Sequence, residues 1–591
     1  MTRKAIKIGG ASGFWGDSGI ALPQLLRAPE LDYVVFDYLA EITMSIMARA
    51  RSKNAIAGYA TDFVSTLVRH LPAIAERKIK IISNAGGVNP ESCAQAIRGA
   101  IESQGLQLKV AVVHGDDIMP QLEDLRSEGT CDMFTSEPLP ENIQSANVYL
   151  GAFPIAFALD RGADIVITGR CVDSAVTLGA CIHEFGWTER NLNELAGGSL
   201  AGHILECGAQ ASGGIHTDWE LTGDWSNIGY PIASIYPDGS FDVEKAPDTG
   251  GLVSFGTVAE QLLYEIGDPA AYILPDVVCD FTQVQIEEIG PNCVHVGHAL
   301  GKAPTECYKA SITYSDGFRV GMYLTVIGID AARKARKLGE SVLKRCERLL
   351  RDDGKNGYSE TSLEIIGSEA AYGPHSRATH AREVIMKLAA KHHDAAALEL
   401  LVKEATSSGT SMAPGITNLG GNRPRVMPLV RLFSCLVPKS KVRQAVDFEG
   451  TETCVPISLA LDKSAVAPIR CKPVEAASID AATHIVPLVQ LAWARSGDKG
   501  NSVNIGVIAR KPEYLPYIKA ALTETAVSDY FAYNTKGTVR RFDVPGINAL
   551  NFLLNEALDG GGIASLRNDP QGKGHAQILL DYPIRVPEKF L

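Results

Sequence analysis

The sequence predicts an α/β protein. A mostly parallel N-terminal sheet of βα units is followed by an α+β region and a C-terminal ferredoxin-like α+β domain. Three observations carry this prediction. Short apolar runs alternate with helical patterns over residues 1–215, the order that a parallel sheet with crossover helices needs. From about 270 to 330 the pattern changes to closely spaced strands. Beyond 480 an order near β-β-α-β-α-β suits a small sandwich. A chain of 591 residues is too long for one hydrophobic core, and three domains are expected: 1–265, 266–480 including a connector, and 481–591.

The five N-terminal strands each end in a polar or glycine-rich turn. Lys4–Ile8 runs into Gly9-Gly-Ala-Ser-Gly-Phe-Trp-Gly-Asp-Ser18, and Asp32–Phe36 into Asp37-Tyr-Leu-Ala-Glu41. Ile79–Ile82 runs into Ser83-Asn-Ala-Gly-Gly-Val-Asn-Pro90, with a helix from about Glu91. Lys109–Val113 runs into His114-Gly-Asp-Asp117, and Asp164–Thr168 into Gly169-Arg-Cys-Val-Asp-Ser174. Right-handed crossovers bring all five strand C-termini to one edge, where open α/β sheets bind their ligands. A purely structural βα turn needs only a cap. This set offers far more, and the edge is therefore the expected site.

Residues 216–260, rich in Gly, Asp, Pro and Trp, suggest an excursion with short strands, and a helix is expected over Val258–Ile266. Strands are expected at Val277–Asp280, Cys293–Val296, Ser311–Tyr314 and Tyr323–Ile327. A helix follows over Ala331–Asp352, then a strand at Ser362–Ile366, then helices through Glu404. Ser407–Arg425 reads as a long loop. Residues 440–484 form an Ala/Ser/Asp-rich connector with a boundary near 480. After it come a strand over Val486–Ala494, the loop Arg495–Ser502, a strand over Val503–Ala509, helix 512–526, strand 538–544, helix 548–558 and strand His575–Asp581.

Composition excludes several classes. A formal net charge of -12 opposes nucleic-acid binding. No apolar run approaches the roughly 20 residues that span a bilayer. The twelve cysteines are scattered without metal-ligand spacing, so no metal is expected. With no secretory signal read at Met1-Thr-Arg-Lys4, a cytoplasmic protein is expected. A large enzyme of this kind is expected to be a homo-oligomer.

The candidate residues each carry two readings. The glycines at 9, 10, 13 and 16 lack dinucleotide spacing, so NAD is not supported. They offer either a backbone cradle for an anion, with Ser12 and Asp17 beside it, or a tight turn. His114 with Asp116 and Asp117 can form a general acid/base cluster or bind a divalent cation, or an aspartate can cap the next helix. Cys171 is a nucleophile if Arg170 and the helix N-terminus lower its pKa, and otherwise a small buried residue. Asp173 sits in the site or complements the helix dipole. Asp37 and Glu41, four apart, share a helical face if a helix has begun. Asp37, Asn84, Gly86, Gly87 and Arg170 complete the edge as binding groups. Arg495 and Lys499, in Arg495-Ser-Gly-Asp-Lys-Gly-Asn-Ser502, suit an anion, a contact with a neighbouring domain, or a self-bonded polar turn.

Gly10-Ala-Ser-Gly-Phe-Trp-Gly-Asp17, Asp37-Tyr-Leu-Ala-Glu41, Asn84-Ala-Gly-Gly-Val-Asn-Pro90, Thr168-Gly-Arg-Cys-Val-Asp-Ser174 and Ala494-Arg-Ser-Gly-Asp-Lys-Gly-Asn501 together resemble the acyclic terpene utilisation (AtuA) family. The likeness spans about residues 5–450, and the C-terminal piece resembles the family's ferredoxin-fold domain. The resemblance implies catabolism of citronellol, geraniol and related branched acids through CoA thioesters. It carries no catalytic residues over.

The expected function is an enzyme acting on an acyl-CoA small molecule, by hydration/dehydration or carbon–carbon cleavage, with no cofactor beyond the substrate's CoA. Such chemistry needs an acid, a base and stabilisation of a thioester enolate. Two alternatives are a hydrolase or transferase using Cys171 and a non-catalytic metabolite-binding subunit of a catabolic complex. The crowd of titratable groups at one edge favours an enzyme.

Overall fold

The computed structural model describes residues 5–418, 423–456 and 484–591. Its first six strands are β1 (Ile6–Gly10), β2 (Tyr33–Phe36), β3 (Lys80–Ser83), β4 (Val110–His114), β5 (Ile143–Val148) and β6 (Ile165–Thr168). All but β5 are parallel and lie side by side in the order β1-β2-β3-β6-β4. Every residue of β2 and β6 is buried, as strands covered on both faces must be. Antiparallel strands widen the sheet: four from residues 231–297 beyond β1, two from residues 445–454 beyond β4.

Helices Thr61–Arg77 and Pro90–Ser103 pack on one face through Phe63, Leu67, Leu71, Ile74 and Cys93, Ile97, Ile101. Helices Phe153–Asp160, Ala175–Phe185 and Leu192–Leu205 pack on the other, the last of them buried on all sides. The chain thus leaves β3 toward one face and β6 toward the other, although the two strands are neighbours. That divergence is a topological switch point, and it opens a crevice beyond the strand ends.

A second sheet is built on the 21-residue strand Cys307–Ile327. Its first half runs between β5 and Met427–Pro438, its second between Glu383–His392 and Ile416–Asn418, and Glu360–Ile366 flanks Glu383–His392. The two sheets exchange strands: β5 leaves the N-terminal stretch for the second sheet, while residues 285–297 and 445–454 join the first. The crossing of β5 carries Tyr149 to Lys309, and the Tyr149 N–H donates to the Lys309 carbonyl over 3.0 Å.

The C-terminal unit has a four-stranded antiparallel sheet in the order Ala492–Lys499, Ser502–Ala509, Ala549–Leu554, Val539–Val544. It is ferredoxin-like, with Ala492–Lys499 filling the edge place that the last strand of a β-α-β-β-α-β unit takes. Helices Leu515–Ala521 and Glu524–Tyr530 cross between the second and third strands.

Several elements differ from the sequence reading. Glu383–His392 is a strand where helices were expected, because its Met, Leu, Ala and Lys residues are helix formers overridden by ladders on both sides. The same override turns the expected helix 548–558 into the central strand Ala549–Leu554. His575–Leu579 is a short helix rather than a strand, and Pro583–Val586 pairs with His484–Pro487 instead. Ser311–Tyr314 and Tyr323–Ile327 belong to one long strand. Arg495–Lys499 is not a loop: Arg495 pairs with Gly506, and the turn is only Gly500-Asn501. Part of the expected loop Ser407–Arg425 is strand Ile416–Asn418. Its residues 419–422, most of the connector (457–483) and the boundary near 480 lie outside the described residues.

Candidate active site

Asp37 and Asn84 follow β2 and β3 directly, and the register Phe36↔Ser83 sets them side by side. Asn84 is fully buried and fixes the carboxyl: its Oδ1 accepts from the Tyr38 N–H over 2.8 Å while its Nδ2 donates to Asp37 Oδ1. The Leu39 N–H reaches the same Oδ1 over 3.3 Å, so Oδ2 is left without a partner among the described residues. Ser12 Oγ clamps the Asp37 backbone carbonyl over 2.9 Å. Burial, with help from the charges of Asp173 and Glu206, pushes the Asp37 pKa well above the carboxylate range, and Arg170 and Asn84 only partly oppose it. Its neutral form is a proton donor at Oδ2.

Arg170 enters from the end of β6. The turn before it depends on Gly169, because a Cβ there would run into the Asp116 carboxylate. Asp116 Oδ2 accepts from the Arg170 N–H and from Asn147 Nδ2, each over 2.8 Å, and burial pushes its pKa up to about 7. Arg170 Nη1 donates to the Cys171 carbonyl and to Asp173 Oδ1, both over 2.7 Å. The guanidinium lies 4.2 Å from the centre of the Tyr149 ring, a cation–π seat. Arg170 is 3% exposed, its Nε has no partner, and its Nη2 meets no acceptor among the described residues.

Beside it, the Tyr149 hydroxyl donates to Glu41 Oε1 over 2.5 Å. Burial alone would raise the Glu41 pKa, but Lys309, Arg170 and that hydrogen bond outweigh it and bring it down to about 2. Glu206 bonds His203 Nδ1 over 2.8 Å, and His203 Nε2 faces the Gln261 carbonyl over 3.0 Å. Burial pushes Glu206 up to about 7 against the opposing pull of His203. The helix that carries His203 packs on Ser174 at Gly202, next to Asp173, and the His203 ring centre lies 6.0 Å from that of Tyr272, in the short strand Tyr272–Ile273, so the dyad stands beside the same crevice. A hydrogen-bonded anion at Glu41, three carboxyls with raised pKa values (Asp37, Asp116 and Glu206) and an incompletely occupied guanidinium thus share one crevice. Such an arrangement can move a proton while holding developing negative charge.

Of the residues read from the sequence, Ser12, Asp37, Asn84, Asp116, Arg170, Cys171 and Asp173 converge here. Lys499 also reaches it, from the C-terminal unit, with Nζ 5.2 Å from the Tyr272 ring centre. Cys171 is 1% exposed, and burial pushes its thiol up to about 12, so nothing here makes a thiolate. Gly86 is packing: its N–H donates to the Thr168 carbonyl over 3.1 Å, close enough to exclude a side chain, and Gly87 is closed in by Met47. Asp17 braces its own loop, accepting from the Gly13 N–H over 2.8 Å and the Tyr230 hydroxyl over 2.9 Å. His114 points away, 4.0 Å from Glu91. Asp117 caps the next turn through the Met119 N–H over 2.9 Å and lines a neighbouring groove of about 240 Å³ with Arg51 and Asn147. Arg495 lies far from solvent against Glu260, at 3.1 Å, in the contact between the C-terminal unit and helix Phe255–Leu263. A larger cavity, about 650 Å³, lies elsewhere, between the second sheet and the C-terminal unit near Glu364, Arg431, Arg567 and His575.

Tyr149, Glu206, Tyr272 and Lys309 were not found from sequence. None sits at the end of a βα-unit strand, and no local pattern sets them apart. Among the described residues no group of three or more His, Cys, Asp or Glu is arranged to hold a metal, and no helix is long and apolar enough to cross a membrane.

No curated protein and no solved structure matches the chain. The model of the family described as acyclic terpene utilisation family protein AtuA matches residues 6–448, which take in the sheet, the crevice and the second sheet. The AtuA ferredoxin-like domain matches residues 486–585. The chain belongs to the acyclic terpene utilisation family AtuA, which is implicated in a catabolic role.

Proposed function

We propose that the protein is an enzyme of acyclic terpene or branched-acid breakdown that acts on an acyl-CoA thioester by hydration/dehydration or carbon–carbon cleavage. One observation carries this reading: the protonatable Oδ2 of Asp37 stands in a crevice with Arg170, whose Nε and Nη2 have no acceptor among the described residues. In the proposed reaction Arg170, backed by Tyr149, takes the thioester oxygen as negative charge develops on it. Asp37 supplies or recovers a proton, and the Glu206–His203 pair serves as the second proton carrier.

The test is to incubate the protein with thioesters of branched and straight-chain acids and follow products by mass spectrometry. Turnover of a branched thioester is expected, and Asp37→Asn is expected to lower it about 10²- to 10⁴-fold, the usual worth of a positioned acid or base. Absence of both binding and turnover across the panel would sink the proposal. Binding without turnover would favour the metabolite-binding subunit.

A further inference from the structure

Lys309 and Lys499 reach the crevice from distant parts of the chain. Lys309 lies on the central strand of the second sheet, with Nζ 5.2 Å from the Tyr149 ring centre. Lys499 ends the strand Ala492–Lys499, over Tyr272. Neither has a carboxylate at ion-pair distance among the described residues, although ion pairs are common elsewhere in the chain. Tyr272, under Lys499, lies with its ring centre 6.0 Å from that of His203, and the helix carrying His203 packs on Ser174 at Gly202, so Lys499 stands on the Asp173 side of the crevice and Lys309 on the Tyr149 side. Burial lowers the Lys309 pKa, Glu41 opposes this, and Lys499 and Arg170 add to the lowering. Lys499 is exposed and Lys309 half-buried, so water screens their repulsion, but two cations without a carboxylate partner beside a buried guanidinium form a place that suits an anion.

The backbone that carries the exposed Lys499 is set before any ligand arrives. At the hairpin tip, the Asn501 carbonyl accepts from the Ala557 N–H over 2.9 Å, and its Oδ1 accepts from the Gly560 N–H over 2.8 Å. The unit behind it is locked to the main body by buried amides. Asn504 Nδ2 donates to the Leu263 carbonyl over 2.6 Å, and Asn551 Nδ2 donates to the Ile266 and Gly267 carbonyls over 2.8 and 2.7 Å. With the strand fixed this way, binding has only the lysine side chain left to order.

We propose that the ferredoxin-like unit completes the binding site. Lys499 and Lys309 clamp an oxyanion of the substrate, carboxylate or phosphate, at a point away from the reacting carbonyl. The inference rests on the crevice being the substrate site, and it makes the C-terminal unit a partner in recognition.

The experiment compares Lys499→Gln and Lys309→Gln with Lys511→Gln, a lysine of the same unit that lies over Tyr514 instead. Full-length proteins with wild-type circular dichroism are titrated calorimetrically with four probes: a branched acyl-CoA, the N-acetylcysteamine thioester of the same acid, succinate and inorganic pyrophosphate. Dissociation constants for an anionic probe are expected to rise about tenfold to about a hundredfold in both cleft variants and to stay unchanged in Lys511→Gln. A loss with acyl-CoA and pyrophosphate, but not with succinate, assigns the clamp to phosphate. A loss with succinate assigns it to a carboxylate of the acyl part. Binding of succinate or pyrophosphate that weakens in the variants while no thioester binds upholds the clamp and removes the thioester reading. Equal affinity of all three variants for every probe, or no anion binding by the wild type, overturns the inference.

Discussion

Two buried arginines, Arg170 and Arg495, are each 3% exposed and each have an Nε without a partner, yet they belong to different kinds of region. Around Arg495 every terminal nitrogen is used: Nη1 meets Gln210 and Gln261, at 3.1 and 3.3 Å, and Nη2 meets the Gly214 carbonyl and Glu260, at 3.0 and 3.1 Å. Glu260 is wholly buried and also accepts from His216 Nδ1 over 2.9 Å. That region is closed and can only hold two parts of the chain together. Around Arg170, among the described residues, only Nη1 is used, by the Cys171 carbonyl and Asp173, while burial raises the pKa of Asp37, Asp116 and Glu206 nearby. The comparison teaches that burial of a charge does not distinguish a joint from a site. What distinguishes them is whether both terminal nitrogens of the guanidinium meet protein acceptors.

The comparison can be broken in four ways. The largest effect is expected at the joint. Arg495→Ala strands the Glu260 carboxylate without its guanidinium, and a loss of about 3–5 kcal/mol is expected, read from urea unfolding. A loss below about 1 kcal/mol would mean that Arg495 is not holding the interface. Next is Arg170→Met, which should cost less stability than Arg495→Ala, because only Nη1 holds protein acceptors, while lowering thioester turnover about 10²- to 10³-fold. The reverse pattern would exchange the roles of the two arginines.

A smaller effect concerns Asp116, beneath Arg170. Burial raises its folded pKa from 3.8 to about 7, so between those values the native protein keeps a proton that the unfolded chain has released. Its contribution to stability is therefore complete below pH ~4 and is lost as pH rises toward 7. Asp116→Asn should remove about 2 kcal/mol of the difference in unfolding free energy between pH 5 and pH 7. An unchanged slope would show that Asp116 is ionised throughout. The smallest effect is at Cys171, whose thiol is pushed up to about 12. Cys171→Ala should keep turnover within about twofold of wild type, and iodoacetamide at pH 7 should not inactivate the protein. Loss of activity in either test would revive the nucleophile reading.

Asp37, Asn84, Arg170 and Asp173 were legible because a short apolar run that stops at a polar turn marks a strand end, and parallel strands bring such ends together. Glu41 was noticed only as a neighbour of Asp37 four positions on. Its partner Tyr149 and the nearby Lys309 were not, because they meet through the pairing of β5 with a strand more than 150 residues away. His114 shows the opposite limit. It sits at a strand end like the others, but its side chain takes the Glu91 side, and strand position alone does not say which face a side chain serves.

By itself the sequence determined the parallel core of the first sheet, its common edge and the family likeness, because apolar period, glycine breaks and motif spacing are local properties. The tertiary structure alone decided that β5 leaves its sheet, that helix-forming runs at Glu383–His392 and Ala549–Leu554 become central strands, and that Lys499 and Lys309 come to the same crevice. These outcomes follow from hydrogen-bond ladders and burial supplied by distant segments, whose free energy exceeds the few tenths of a kcal/mol per residue, roughly, that separate local propensities.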